Sequence, residues 1–207
     1  MSDKASKSDD GRFRRGASAR AAILAQAMNS ASINGLAGLT FGSLAQALSI
    51  NKSNITILFG DKLTLQLRTL DAAVEVFDQR VVAPNSGIAS PCQRLTKYLD
   101  AWFRYVEERV FPGGCLLVSV AHEFRARPGP IQDLAKKYLD DWGNLLGATV
   151  RQAKEIGEVV AEIDPHQVVF ELMSFQSLAN TASLLGEQDI FCRARTTVAR
   201  RIALVRK

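Results

Sequence analysis

The chain has few of the residues that build metal sites, disulfides and membrane spans. Its 207 residues include three cysteines and two histidines. Cys92, Cys115 and Cys192 lie far apart and without metal-ligand spacing, which favours reduced thiols in a cytoplasmic protein. No apolar run reaches the roughly 18 residues needed to cross a bilayer, and the N-terminus lacks the apolar core of a signal peptide. We therefore expect no metal, no cofactor and no membrane partner.

Motifs of catalysis are missing as well. The histidines form no HExxH or ExxH arrangement, and the sequence contains no P-loop or nucleophile elbow. Glu123 follows His122 directly, so on a helix their side chains diverge by about 100° and would not form a simple catalytic pair. The sequence predicts a protein that is not an enzyme.

Neither strands nor repeats are indicated by the sequence. Nothing alternates with a period of two over a useful length, and no repeat of about 20 to 50 residues occurs. Apolar residues instead recur at steps of three and four, and a hydrophobic content of 47% can supply a core. The pattern predicts an all-α fold with about nine helices.

Positive charge is concentrated near the N-terminus. Residues 1–62 hold eight Lys or Arg against four Asp and no Glu, a net charge of +4 out of +5 for the whole chain. This distribution favours a polyanionic partner for the N-terminal part. We expect residues 1–15 to form a disordered basic arm, with Arg14 and Arg15 reaching phosphates or the minor groove, or else acting as a solubilising tail. A helix is predicted to follow from about Ser18.

Residues 40–62 have the form of a helix, a tight break and a second short helix. The positions predicted to face inward are Leu44, Ala45, Leu48, Ile50, Ile55 and Phe59. Between them lie short hydrogen-bonding side chains: Asn51, Lys52, Ser53, Asn54 and Thr56. A helix-turn-helix presents such side chains to the major groove, although an ordinary α-hairpin would share the pattern.

Six further helices are predicted, at about residues 62–82, 91–110, 115–124, 131–157, 165–185 and 189–207. The helix at 91–110 has an aromatic face. The helix at 165–185 is apolar on two sides, with Leu172 on one and Leu178 on the other, so we expect it to be covered from more than one direction.

The N-terminal residues resemble the TetR family of bacterial transcriptional regulators. The resemblance is carried by Ile23, Leu24, Ala27, Gly35, Thr40, Leu44, Ala45, Leu48, Ile50, Lys52, Ser53, Phe59, Gly60 and Lys62. Beyond them, the stretches VEVFDQRVVAP, ERVFPGGC and EFRARPGP resemble one subgroup's ligand-binding domain. The resemblance implies a homodimer that binds a palindromic operator in double-stranded DNA and releases it when a small molecule enters the C-terminal core. It also implies a three-helix DNA-binding domain at residues 16–62 and an effector-binding and dimerisation domain at 63–207.

Several departures from the family pattern fall on the DNA-reading element. Ser49 stands where most members have glycine, and Asn54, Thr56 and Leu58 replace the usual glycine, tyrosine and histidine. These departures bear on operator recognition and leave the fold unchanged. The alternative function is a helical ligand- or partner-binding protein of the same fold with weak or lost DNA binding.

Candidate DNA contacts follow from side-chain chemistry. We expect Asn51, Lys52, Asn54 and Thr56 to face the major groove, because Asn can pair with adenine and Lys favours guanine or phosphate. Thr40, Ser43, Ser53 and Lys62 are expected to contact phosphates near helix N-termini. The alternative for these residues is a solvated helix face.

The central helices supply the candidate ligand contacts: Phe77, Tyr98, Trp102, Tyr105, Cys115, His122, Trp142 and Phe175. Most of these are expected to be plain core, and His122 could instead be a buried, hydrogen-bonded histidine. Their chemistry predicts an apolar or aromatic effector. Residues 165–207 are the dimerisation candidates, since two helices from each subunit can form a four-helix bundle.

Overall fold

Nine α-helices and no strand are found in the part of the chain that the structure, a computed structural model, describes: the backbone of residues 3–205 and the side chains of residues 16–205. The helices are α1 (Asp3–Asn34), α2 (Phe41–Leu48), α3 (Lys52–Phe59), α4 (Lys62–Phe77), α5 (Pro91–Glu107), α6 (Leu116–Phe124), α7 (Pro130–Glu155), α8 (Pro165–Leu184) and α9 (Ile190–Val205). A π-helical turn, Asp78–Val82, and a short 3₁₀ turn, Ala83–Asn85, continue α4. The all-α prediction is confirmed.

Side chains at the helix starts explain several of these boundaries. Asn51 Oδ1, Asp61 Oδ1, Ser90 Oγ and Asp164 Oδ1 each accept a backbone N–H from the first turn of the helix that follows. Each cap satisfies an amide that has no partner within the helix. Proline in the first turn of α5, α7 and α8 costs no hydrogen bond there.

The N-terminal helix is longer than predicted. The structure has α1 starting at Asp3 rather than near Ser18, so the backbone from Asp3 onward is helical where a disordered arm was expected. The side chains of Arg14 and Arg15 lie outside the described residues, and their predicted contacts with DNA stay a prediction. One side of α1 is buried, with Ile23, Ala27 and Ala31 facing the core.

The C-terminal helices surround an aromatic core. Phe77 of α4 meets Trp142 of α7 edge-on, with 5.1 Å between ring centroids, and it meets Tyr105 of α5 at 5.7 Å. Such edge-to-face pairs add to the stability gained from burying apolar area. Helix α5 packs against α7, α8 and α9, while α7 also packs against α4, α6 and α8.

Two apolar positions are more exposed than predicted. Ile50 lies in the turn between α2 and α3 and is exposed. Leu178 is 64% exposed, so this part of the second apolar side of α8 is left uncovered within a single chain. Phe170 of α8 and Leu185 at its end are also exposed. Several exposed apolar side chains along one helix are typical of a protein–protein contact.

Candidate functional sites: an outward helix face and a cavity between the central helices

Helices α2 and α3 are joined by a turn in which Ser49 has a left-handed backbone, with φ of 53° and ψ of 41°. The amides of Ser49 and Ile50 donate to carbonyls of the last turn of α2, which ends the helix there. A residue with a side chain is strained in this conformation, whereas glycine is not. Serine in place of glycine at Ser49 therefore adds backbone strain to the turn but leaves the geometry of the turn intact.

The outward face of α3 carries exposed polar side chains. Lys52, Ser53 and Asn54 are exposed, as predicted. Asn51 is exposed too, but its Oδ1 accepts from the amide and hydroxyl of Ser53, so the side chain caps the helix. The Thr56 hydroxyl donates to the carbonyl of Lys52 at 3.2 Å. Lys52 and Asn54 are thus the exposed side chains whose donors are least engaged within the helix.

Ile57 is a feature of this face that the sequence did not single out. It is 81% exposed and follows Asn54 by one helical step of three. An exposed isoleucine beside polar groups can contact the methyl group of thymine. Its signal was available in the sequence, because the spacing of Ile55 and Phe59 places Ile57 on the opposite side of the helix.

Some candidate phosphate contacts are used within the protein. Thr40 Oγ1 accepts from the amide of Ser43 at 3.0 Å, and the two hydroxyls lie 2.9 Å apart in a capping box. Lys62 Nζ donates to the carbonyl of Ala37 at 2.6 Å, so it ties α4 to the α1–α2 loop. The Ser43 amide, in the first turn of α2, is therefore already capped.

A cavity of about 510 Å³ lies between α4, α5, α6, α7 and α8, and some residues of its wall, including His122 and Ser174, are exposed. Five of the eight candidate ligand residues line it: Phe77, Trp102, Cys115, His122 and Trp142. Both tryptophans of the chain are thus on its wall. The volume and the apolar lining are typical of a pocket for a small organic molecule.

The remaining three candidates lie elsewhere. Tyr98 and Tyr105 are buried behind the wall, where their rings pack against Trp142 and Phe77 respectively. Phe175 is half-buried on α8 and does not line the cavity. All three belong to helices that contribute to the cavity, but their side chains point to other neighbours.

Two polar residues of the wall, Gln176 and Tyr138, were missed by the sequence reasoning. Gln176 of α8 accepts a hydrogen bond from Trp142 Nε1 at 3.1 Å. The hydroxyl of Tyr138 donates to Asp71 Oδ1 at 2.7 Å, and burial together with this carboxylate raises the pKa of the phenol. Burial raises the pKa of the Cys115 thiol to about 11, so it is protonated at neutral pH. The wall therefore combines neutral hydrogen-bonding groups with the carboxylates of Asp78 and Asp141 on a largely apolar surface.

Helix α6 connects this cavity with the N-terminal helices at both of its ends. Just before α6, the amide of Gly113 donates to Ser32 Oγ at 3.0 Å, and a Cβ at Gly113 would lie 1.8 Å from the Ser32 carbonyl oxygen. At its other end, the Glu123 carboxylate accepts from the amides of Leu36 and Ala37 at 2.7 and 2.9 Å. The neighbouring His122 lines the cavity.

Comparison with known proteins identifies the family. A family profile described as "Tetracyclin repressor-like, C-terminal domain" matches residues 91–198, more than half of the chain. The chain belongs to the TetR family. TetR-family proteins are transcriptional regulators, and the match covers the C-terminal, ligand-binding part of the fold. The resemblance noted in the N-terminal residues is thereby confirmed at the level of the family. Among curated proteins, none matches the sequence significantly.

Solved structures share the fold. A TetR transcriptional regulator from Chloroflexus aurantiacus J-10-FL has a TM-score of 0.86 and 24% identity, covering 93% of this chain and 98% of its own. AibR in complex with isovaleryl coenzyme A and operator DNA has a TM-score of 0.72 and 16% identity, and the match covers 90% of this chain and 97% of AibR. A transcriptional regulator from Saccharomonospora viridis in complex with choline has a TM-score of 0.76 and 20% identity, and the match covers 90% of this chain and 96% of that regulator.

Neither a membrane-spanning helix nor a metal-binding cluster occurs among the described residues. None of the described helices is long and apolar enough to span a membrane. No group of three or more His, Cys, Asp or Glu in the described part of the chain could hold a metal ion.

Proposed function

We propose that this TetR-family chain is a DNA-binding repressor whose operator affinity is lowered when a small apolar or aromatic effector occupies the cavity. We assign DNA binding to residues 16–62 and effector binding with dimerisation to residues 63–207. The observation that carries the proposal is the position of α6, which contributes His122 to the cavity wall and Glu123 to the α1–α2 loop.

The DNA contacts are proposed from the outward face of α3. Lys52 and Asn54 are exposed there, and an asparagine can pair bidentately with adenine. The amides at the start of α2 suit a phosphate. The bound operator of AibR supports this role by analogy of fold.

A homodimer through residues 165–207 is supported by the uncovered side of α8. Phe170, Leu178 and Leu185 are exposed on it, and Leu204 is exposed on α9. A second copy would bury this surface in a four-helix bundle. A twofold axis there would present two copies of α3 to a palindromic operator.

The proposed coupling uses the anchors of α6. An effector that displaces His122 moves the adjacent Glu123, whose carboxylate holds the amides of Leu36 and Ala37. Lys62 Nζ and Gln66 Nε2 donate to the carbonyls of the same two residues, so α4 follows the loop. A ligand shifts the equilibrium between the DNA-binding arrangement and the released arrangement only if its affinity differs between the two. Contact of the ligand with α6 provides that difference.

A gel-shift assay with DNA from upstream of the protein's own gene tests the proposal. We expect salt-dependent binding, weakened about tenfold or more by Asn54→Ala and also by Lys52→Ala, with a smaller salt slope for the latter. Lys136→Ala is the matched control, because Lys136 is an exposed lysine on α7 that pairs with Asp140.

Two outcomes of that assay contradict the proposal. If Lys52→Ala and Asn54→Ala both bind the upstream DNA as tightly as Lys136→Ala, α3 is not the reading element. If no upstream or random-sequence DNA is bound while small molecules still occupy the cavity, the chain is instead a ligand-binding protein of the same fold.

A further inference from the structure

The buried amide of Gln176 is only half satisfied. Gln176 lines the cavity and is 3% exposed. Trp142 Nε1–H lies 3.1 Å from its amide and can only donate, so the amide oxygen must face the indole and the NH₂ group must face away. That nitrogen, Nε2, is enclosed and has no hydrogen-bond partner among the described residues.

An enclosed donor without a partner favours a ligand that supplies an acceptor. The indole of Trp142 holds the amide in place, so the donor is oriented before a ligand enters. Sites with a fixed buried donor reject analogues that lack the acceptor, because the donor is then left unpaired. An acceptor-bearing ligand should therefore gain about tenfold in affinity over a matched hydrocarbon.

The charges around the cavity disfavour an anion. Two carboxylates, Asp78 and Asp141, lie on its wall, whereas no lysine or arginine of the described chain lines it. Lys137 pairs with Asp141 at 2.6 Å from outside the wall. A bound carboxylate or phosphate would lose its water without gaining a lysine or arginine partner, which is costly.

The apolar part of the wall defines the body of the ligand. Phe77, Trp102 and Trp142 contribute aromatic side chains to the wall of the cavity. We propose that the effector is an uncharged molecule with an apolar or aromatic body and a hydrogen-bond acceptor oxygen that receives the N–H of Gln176. This inference rests on the proposed function, since it names the ligand class of the same cavity.

Four probes with one carbon skeleton separate the possible classes: 4-phenylbutan-2-one, butylbenzene, 4-phenylbutanoate and 4-phenylbutylamine. The full-length protein is titrated with each up to millimolar concentration. The fluorescence of Trp102 and Trp142 reports occupancy, because these are the only tryptophans of the chain and both line the cavity. We expect the ketone to bind more tightly than the carboxylate and the amine.

Two variants test the role of the amide. Gln176→Leu removes the donor and should lower the ratio of ketone to butylbenzene affinity about tenfold. Gln176→Glu keeps an acceptor for Trp142 Nε1 but offers no donor to the ligand, so it should weaken the ketone and favour the amine. Thermal unfolding of both variants establishes that they fold. If Gln176→Leu does not fold, the near-isosteric Gln176→Glu still provides the test.

The proposal is overturned if the carboxylate or the amine binds wild type more tightly than the ketone, if none of the four probes binds, or if both variants keep the wild-type affinity ratio. Failure of the proposed function gives a different result. In that case the ketone binds with the expected dependence on Gln176, but operator DNA is not bound, or is not released when the cavity is filled.

Discussion

Replacing Glu123 by glutamine alters the joint between α6 and the α1–α2 loop while nearly preserving side-chain shape. Each carboxylate oxygen accepts one backbone amide, from Leu36 at 2.7 Å and from Ala37 at 2.9 Å. Glutamine keeps one acceptor oxygen, but its NH₂ group then faces the second amide, donor against donor. One charge-assisted hydrogen bond is therefore lost and the other loses its charge.

The magnitude follows from these contacts. Hydrogen bonds to charged groups contribute about 1.5–3 kcal/mol, and Glu123 is half-buried, so the lower part of this range, about 1.5–2 kcal/mol, applies. For a chain of this size, 1 kcal/mol corresponds to about 2–4 °C in melting temperature. We expect Glu123→Gln to melt about 3–8 °C below wild type, and Glu123→Ala lower still, because both amides then lose their acceptor.

Thermal unfolding followed by circular dichroism at fixed protein concentration measures the effect. Glu162→Gln is the matched control, since Glu162 is exposed in the segment between α7 and α8, and it should melt within about 1 °C of wild type. Equal melting temperatures for Glu123→Gln and Glu162→Gln would refute the reasoning. Under the proposed coupling, Glu123→Gln should also reduce the effect of a bound effector on operator affinity.

Two further variants address the dimer and the turn. Leu178→Asp combined with Leu185→Asp should convert a dimer into a monomer, as measured by light scattering at micromolar concentration. The control Ile156→Asp, at an apolar side chain 63% exposed at the end of α7, should leave the dimer intact. A wild-type protein that is already a monomer would contradict the proposed interface. Ser49→Gly should raise the free energy of unfolding by about 1 kcal/mol in urea denaturation, because glycine adopts the left-handed conformation without strain. An unchanged free energy of unfolding would show that other contacts offset the backbone strain at Ser49.

The helices could be predicted from the sequence because their signals are local. Asp61 and Ser90 cap the helices that follow them, and apolar side chains at steps of three and four identify the buried faces. The family resemblance added the overall arrangement. The extra length of α1 was missed because its first residues are polar and carry no apolar face.

The candidate site could be predicted only in part. Trp102 and Tyr98 lie one helical step apart on the aromatic face of α5 and are both buried, yet only Trp102 lines the cavity. Periodicity identifies a buried face but does not distinguish a side chain that packs against a neighbour from one that borders an empty volume. Which neighbour stands opposite depends on how α4, α5 and α7 pack together.

The sequence by itself determined that this is an all-α chain with a basic N-terminal part, a helix-turn-helix pattern and an aromatic C-terminal core. Those properties depend on residues close together in the chain. Only the tertiary structure decided that Glu123 holds the amides of Leu36 and Ala37, and that Gln176 is oriented by Trp142 inside a cavity. A half-satisfied amide, or a carboxylate that anchors a distant loop, exists only once packing has removed water and brought remote helices together.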